Sequence, residues 1–329
     1  MIRQTERSPV ELNKVYESIQ DDLLKVKSQL GSVSKVSFPW LSDQLNYVMK
    51  GGGKGIRPAL TLLSGKFYQY NIVYLVPMAT AVELMHTATL VHDDAIDKSI
   101  VRRGRPTINK MWGSDMAILL GDYLFARAGE TVSDTRSLRV IKLFSHTLAI
   151  ISSGELNQYL SAFKVKQTRE NYLQRISGKT ASLFSLATES GAILSEAPEE
   201  MAARLKEYGF NLGIAFQIVD DILDFVGTEE TLGKPVGSDL SQGTLTLPAM
   251  LLLERYPENN PVKRVFEDHD NSYIQPTIEM IRNSAIVPDC YKIATEYCTK
   301  ACESLSALPD NTARQALTQL ADYVISRKE

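Results

Sequence analysis

Cysteine is scarce: the 329 residues contain only Cys290, Cys298 and Cys302. An odd trio in a chain of this length excludes the disulfide framework of a small secreted domain and fits a reducing, cytoplasmic compartment. Cys298 and Cys302 stand four apart, but with no histidine near them they read as core packing rather than a metal pair. An excess of positive charge is also missing, since 36 basic residues face 39 acidic ones. That balance argues against a nucleic-acid-binding surface. Long apolar runs are few. The longest, Ile72 to Met85, is interrupted by Pro77, Thr80 and Glu83 and falls short of the roughly 20 residues that span a bilayer, so no transmembrane segment is expected. Met1 to Val10 carry no signal or transit pattern.

Glycine (19) and proline (13) are infrequent, below their average usage. They gather at Gly31 to Pro39, Gly51 to Gly55, Arg102 to Pro106, Ala197-Pro198, Gly227 to Gly243 and Pro257 to Pro261. Long helices between short loops follow from that clustering. Apolar residues recur at helical spacing in Val10, Leu12, Val15, Tyr16, Ile19, Leu23 and Leu24, and again in Leu156, Tyr159, Leu160 and Phe163. Ser8-Pro9 reads as a helix start, as does Ser195 ahead of Ala197-Pro198, Glu199 and Glu200. No alternating strand pattern, repeat or polar linker is visible. With 44% hydrophobic residues, the expectation is one all-α domain over residues 1–329, a large helical bundle with a central elongated cavity.

Two acidic clusters share one spacing: Asp93-Asp94-Ala95-Ile96-Asp97 and Asp220-Asp221-Ile222-Leu223-Asp224. On a helix, residues four apart share a face, so Asp93 pairs with Asp97 and Asp220 with Asp224. Like charges at that spacing repel and call for a cation. Mg²⁺ suits them, because it takes carboxylate oxygen, keeps several waters and completes its shell with substrate phosphates. Acidic triplets are often only solvated helix faces. Asp21-Asp22, with Lys25 one turn on, is read that way. The two full clusters differ because Leu90-Val91, Ile218-Val219 and Phe225-Val226 crowd them. His86 and Gln217 continue the same faces.

Positive charge is placed to meet a phosphate. Lys54 and Arg57 flank the glycine loop Gly51 to Gly55, Arg102 and Arg103 follow the first acidic helix, and Lys179-Thr180 and Lys234 sit beside glycines. Guanidinium forks and loop amides both suit a diphosphate. The glycine loop lacks the spacing of a nucleotide-binding P-loop.

Taken in order, Gly52-Gly53-Lys54-Gly55-Ile56-Arg57-Pro58, His86 through Asp94, Arg102-Arg103-Gly104, Gly178-Lys179-Thr180, Phe216 through Asp221 and Gly233-Lys234-Pro235 resemble a trans-polyprenyl diphosphate synthase, over about residues 45–250. The resemblance implies an all-α prenyltransferase, usually a homodimer, that condenses isopentenyl diphosphate with an allylic diphosphate using Mg²⁺. It also implies that Lys54, Arg57, His86 and Arg103 bind isopentenyl diphosphate. Arg102, Lys179, Thr180, Gln217 and Lys234 would then contact the allylic diphosphate. Asp93, Asp97 and Asp220 would be metal ligands supported by Asp94, Asp221 and Asp224. Two positions depart from the family pattern: Gly55 stands where many relatives carry arginine, and Thr244 where short-chain relatives often have lysine.

Product length is expected to be set before the first acidic cluster. Ala88 and Thr89, about 6 to 7.5 Å along the helix from Asp93 at 1.5 Å per residue, stand where short-chain relatives place an aromatic floor. With both small, the tunnel is expected to pass Met85, giving a product longer than C20; geranylgeranyl diphosphate (C20) is the alternative. A terpene cyclase and a non-catalytic partner subunit are the further rivals. A cyclase typically carries one aspartate-rich motif, and partner subunits tend to lose one. A product of this length also implies peripheral contact with a membrane at release.

Overall fold

The computed structural model describes residues 11–229, 233 and 235–327. Lys234 and the helix start expected at Ser8-Pro9 lie outside them. The first helices are α1 (Gln20–Ser32), α2 (Pro39–Met49), α3 (Ile56–Gly65) and α4 (Ile72–Ile96). After a hairpin of β1 (Val101–Arg102) and β2 (Arg105–Pro106) come α5 (Ser114–Ser133), α6 (Leu138–Ser161), α7 (Arg169–Ile176), α8 (Ser182–Leu194) and α9 (Glu199–Val226). The chain continues through α10 (Leu247–Arg255), α11 (Ile274–Arg282), α12 (Ile286–Ser304) and α13 (Thr312–Ser326), with shorter helical turns between.

Helix boundaries follow local chemistry. Pro39 opens α2, the Asn71 side chain accepts from Val73 N at the start of α4, and Ser137 does the same for Val140 N in α6. Ser195 does not start α9 as expected. It ends α8, its hydroxyl is buried without a hydrogen-bond partner among the described residues, and Pro198 itself occupies the N-cap of α9. Proline at that position leaves Glu199 and Glu200 in the first turn, where they favour the positive end of the helix dipole.

Three features refine the expected all-α fold, which the structure bears out. The one departure from helix and loop among the described residues is a short hairpin, in which Val101–Arg102 pairs with Arg105–Pro106 through a two-residue turn. A hairpin this short is set by its turn rather than by alternating side chains, and Arg103 (φ 51) and Gly104 (φ 70) supply the left-handed pair that turn requires. Of the apolar series Leu156, Tyr159, Leu160 and Phe163, the first three are helical as expected and 65%, 71% and 66% exposed, whereas Phe163 (φ 59) lies in the turn after α6 ends at Ser161. Finally, the apolar run beginning at Ile72 extends into a 25-residue helix, long and apolar enough to cross a bilayer by length and composition. Inside the bundle α4 instead packs against α1, α3, α5 and α8, and Leu75, Met78, Val82, Leu84, Met85 and Ala88 on it are fully buried.

Packing of α4 on α5 is closest to the backbone at Gly121, where the His92 ring fills the space a side chain would take. A Cβ on Gly121 would stand 2.1 Å from the His92 ring, which hydrogen-bonds the carbonyl of Ile118 at 2.9 Å and meets Phe125 edge-on. On the other side of the bundle, α9 packs against α8, α12 and α13. The carboxyl-terminal halves of α4 and α9 carry the two acidic clusters.

Candidate active site

The first acidic cluster ends α4, with Asp97 at its C-cap. That is an unfavourable place for carboxylates, since the negative end of the helix dipole lies there. Cations compensate. Arg102 Nε donates to Asp94 Oδ1 at 2.8 Å, and Lys179 Nζ approaches Asp93 Oδ2 at 3.4 Å and Glu155 Oε1 at 2.8 Å. Burial raises the pKa of Asp94 despite Arg102, and burial likewise raises that of Asp97 despite Lys179. Burial alone would lower the pKa of Lys179, but Asp93 and Glu155 outweigh it and the net shift is upward.

In the second cluster Asp221 accepts from Tyr172 Oη at 2.7 Å and from Gln217 Nε2 at 2.9 Å. Burial and the nearby Asp239 still push its pKa up to about 7. Asp224 accepts from Ser238 Oγ and from the backbone N–H of Asp239. It therefore shares little with Asp220 beyond the helical stripe: the segment at 238–239 folds over Asp224 and buries it, while the Asp220 side chain remains 41% exposed and pairs with Arg327 at 2.6 Å. The six aspartates thus divide. Asp94, Asp221 and Asp224 are buried and held by protein groups, whereas Asp93, Asp97 and Asp220 are only half-buried.

A π-helical turn, Ser177–Ala181, lies between α7 and α8 and connects the clusters. Such turns recur at functional sites. Lys179 reaches Asp93, and next to it Thr180 Oγ1 donates to Gln217 Oε1 at 2.6 Å. Asp239 also spans the gap, raising the pKa of both Asp97 and Asp221.

Beside the first cluster, a cavity of about 380 Å³ is lined by Gly53, Lys54, His86, Asp94, Arg102 and Arg103, with apolar walls from Leu23, Val26 and Leu30. Tyr16 Oη donates to the carbonyl of Lys54. Gly55 is left-handed (φ 64) at the N-cap of α3, a conformation that glycine adopts without the strain a side chain would bring. Arg57 lies against the rings of Phe184 and Phe216, and its Nε is buried without a hydrogen-bond partner among the described residues. Its pKa falls to about 10 through burial, although Glu83 and Asp220 oppose the change. His86 is pushed well below the usual imidazole range by burial and by Arg57, Arg103 and Arg102, which makes it a neutral hydrogen-bonding group. Gly233, beside Lys234, lies against the Arg103-Gly104 turn.

Met85 and Ala88 are completely enclosed by protein. Thr89 is half-buried and donates to the carbonyl of His86. Sequence reasoning missed Glu83, Glu155, Tyr172, Asp239 and Arg327. Arg327 donates to the carbonyl of Phe216 at 2.6 Å, and its guanidinium lies 3.8 Å from the centre of that ring.

Among the described residues, no three Asp, Glu, His or Cys side chains form a metal site by themselves. Half-buried carboxylates standing apart suit an ion that fills most of its shell with water and phosphate oxygen, as Mg²⁺ does. They do not suit one that needs a protein cage.

Two acidic helix ends joined by a lysine-threonine turn beside an arginine-lined cavity define an enzyme of the all-α isoprenoid synthase class. Residues 38–281 match the polyprenyl synthetase family. Heptaprenyl diphosphate synthase component 2 of Geobacillus stearothermophilus is 37% identical over 318 residues, covering 97% of this chain and 99% of the relative. The fold is similar to a polyprenyl synthase from Caulobacter crescentus CB15 complexed with calcium and isoprenyl diphosphate (TM-score 0.94, 31% identity, 98% of this chain and 100% of that one). A heptaprenyl diphosphate synthase from Staphylococcus aureus is also similar (TM-score 0.90, 36% identity, 98% and 100%). The chain belongs to the polyprenyl synthetase family and is a trans-prenyltransferase.

Proposed function

We propose that residues 1–329 act as one Mg²⁺-dependent synthase domain. It condenses isopentenyl diphosphate with an allylic primer, farnesyl or geranylgeranyl diphosphate, to give an all-trans product longer than C20. The observation that carries this is the convergence of both acidic clusters, through Lys179 and Thr180, beside a cavity lined by Lys54, His86, Arg102 and Arg103.

In this reading Lys54, Arg57, His86 and Arg103 hold isopentenyl diphosphate. Arg102, Lys179, Thr180, Gln217 and Lys234 hold the allylic diphosphate. Asp93, Asp97 and Asp220 face the metal, and Asp94, Asp221 and Asp224 orient the helix ends. Bound Mg²⁺ supplies Lewis-acid stabilisation of the departing diphosphate. The fixed guanidinium and ammonium groups stabilise the same developing charge without having to reorganise. Isopentenyl diphosphate is positioned so that its double bond meets the allylic cation, which replaces a protein nucleophile. Apolar walls keep water from quenching the cation. The departing diphosphate accepts the proton.

Small side chains at Ala88 and Thr89, ahead of Met85, support the longer product, as do relatives named heptaprenyl and solanesyl diphosphate synthases. A homodimer is the proposed assembly, through the exposed apolar side chains Ile118 and Leu119 on α5 and Leu156, Tyr159 and Leu160 on α6. Two relatives are named component 2, which favours a second reading with a different partner subunit. A cytoplasmic enzyme that touches a membrane only at product release completes the proposal.

Purified chain incubated with Mg²⁺, labelled isopentenyl diphosphate and farnesyl diphosphate should yield prenyl alcohols longer than C20 after phosphatase treatment. A C20 product would reject the chain-length reading. Consumption of isopentenyl diphosphate only after addition of a second protein would establish the partner reading.

A further inference from the structure

Glu83 is an acid in a pocket built for an anion. It lies on α4, one turn before His86, and lines the same cavity. A Cβ placed on Gly53 would stand 3.6 Å from Glu83 Oε1 and 3.2 Å from Arg103 Nη1, so the carboxylate and the guanidinium share one corner. The groups around it come from every neighbouring element: Tyr16 before α1, Lys27 on α1, Tyr47 on α2, Lys54 in the glycine loop and Arg57 on α3. His86 and Asp94 follow on α4, and the hairpin contributes Arg102, Arg103 and Arg105. Asp94, the other acid in the lining, is engaged by Arg102 at 2.8 Å. Among the described residues, Glu83 has no such partner bond. It faces Arg57 and Arg103 through space.

Resting on the reading of this cavity as the isopentenyl diphosphate site, we propose that Glu83 is a removable counter-anion that takes up a proton from solvent when the diphosphate enters. With the cavity empty, a carboxylate offsets the mutual repulsion of Arg57 and Arg103. Burial already raises the pKa of Glu83, and those two arginines oppose the rise. A bound diphosphate takes a share of their charge and adds its own repulsion. Both changes favour the neutral acid, whose O–H then donates to a phosphate oxygen. Glu83 is thus a positioning residue that becomes a hydrogen-bond donor on binding.

Isopentenyl diphosphate titrated calorimetrically into the whole chain, without metal or allylic substrate, in buffers of different ionisation enthalpy, counts the protons taken up. After correction for the ligand's own titration, wild type should take up about one proton more than Glu83→Gln near neutral pH. Wild-type affinity should fall as pH rises, by up to about tenfold per unit, and the decline should flatten in Glu83→Gln. Equal proton uptake in the two proteins overturns the proposal. A wild-type affinity that does not change between pH 6 and 8.5 overturns it as well, and that measurement needs no variant to fold. If Lys54→Ala and Arg103→Ala bind as tightly as wild type, the cavity is not the diphosphate site and the proposal falls with that reading. If those two lose binding while proton uptake is equal, the site stands and the proposal alone fails.

Discussion

Replacing Gly121 with alanine adds one methyl group at the crossing of α4 and α5, where the new carbon would stand 2.1 Å from the His92 ring. Carbon atoms in contact sit about 3.5–4.0 Å apart, so the ring must retreat by more than 1 Å. Retreat breaks the 2.9 Å contact with the carbonyl of Ile118 and shifts the ring off Phe125. His92 immediately precedes Asp93 on α4, so whatever displacement the ring does not absorb by turning about its own side-chain bonds passes to Asp93. Overpacking of this kind costs about 1–3 kcal/mol, and the lost hydrogen bond about 1 kcal/mol more. With an unfolding entropy near 2.1 cal/mol/K per residue, a chain of 329 residues should lose about 3–6 °C in Tm. A displacement of about 1 Å next to the reacting groups also lowers kcat by about 100-fold. Gly129, two turns further along α5, has no described residue outside its own helix backbone within 4 Å of its would-be Cβ. Gly129→Ala should therefore gain about 0.5–1 kcal/mol and leave turnover unchanged. Thermal melts and steady-state incorporation of labelled isopentenyl diphosphate test both variants together. A Gly121→Ala enzyme as stable and as active as wild type would refute the argument that this crossing holds Asp93 in place.

Asp93→Asn and Asp220→Asn should each lower turnover by about 10²–10³-fold with unchanged circular dichroism, and near-wild-type rates would reject their assignment to the leaving group. Ala88→Phe should shorten the main product toward C15 or C20 without abolishing turnover, and an unchanged product in a folded variant would exclude Ala88 as a chain-length wall. Asp221 gives a prediction for stability. Its folded pKa of about 7 lies above the unfolded value, so the folded state holds the proton more tightly. Its contribution is fully present below pH 3.8 and is lost as pH rises through about 7. In urea unfolding with chelator present, Asp221→Asn should therefore gain a few kcal/mol relative to wild type between pH 4 and 8. A difference that is constant across that range would show that Asp221 stays ionised.

Helix boundaries were legible wherever glycine or proline stood alone to set them, as at Pro39, Gly51 to Gly55 and Pro261. They were misread at Ser195, because a hydroxyl three residues before a proline resembles a cap whether it starts one helix or ends another. Direction was harder than period. Leu156, Tyr159 and Leu160 repeat as a helix should, but spacing alone does not say whether the stripe meets a core or an open face. The acidic clusters could be read because each gathers three carboxylates within five positions. Glu155, Tyr172, Asp239 and Arg327 enter singly from distant segments, and a lone residue of a common type carries no pattern until the chain brings it to its partner. Arg103 lay between these cases. Its place in an arginine run was visible, while the left-handed backbone that aims it depends on a turn too short to leave a trace of strand alternation.

One surplus peptide at Ser177–Ala181 widens a single coil of an otherwise continuous rod. In a regular α-helix, side chains at consecutive positions diverge by roughly 100°; here the dilated coil hands Lys179 to the helix of Asp93 and Thr180 to the helix of Gln217. Excising one residue from that coil would restore regular winding and rotate everything beyond it out of phase. The two halves of the catalytic apparatus are therefore kept in step by a local irregularity, and any relative that lost it would need a second substitution to bring the lysine and the threonine back into alignment.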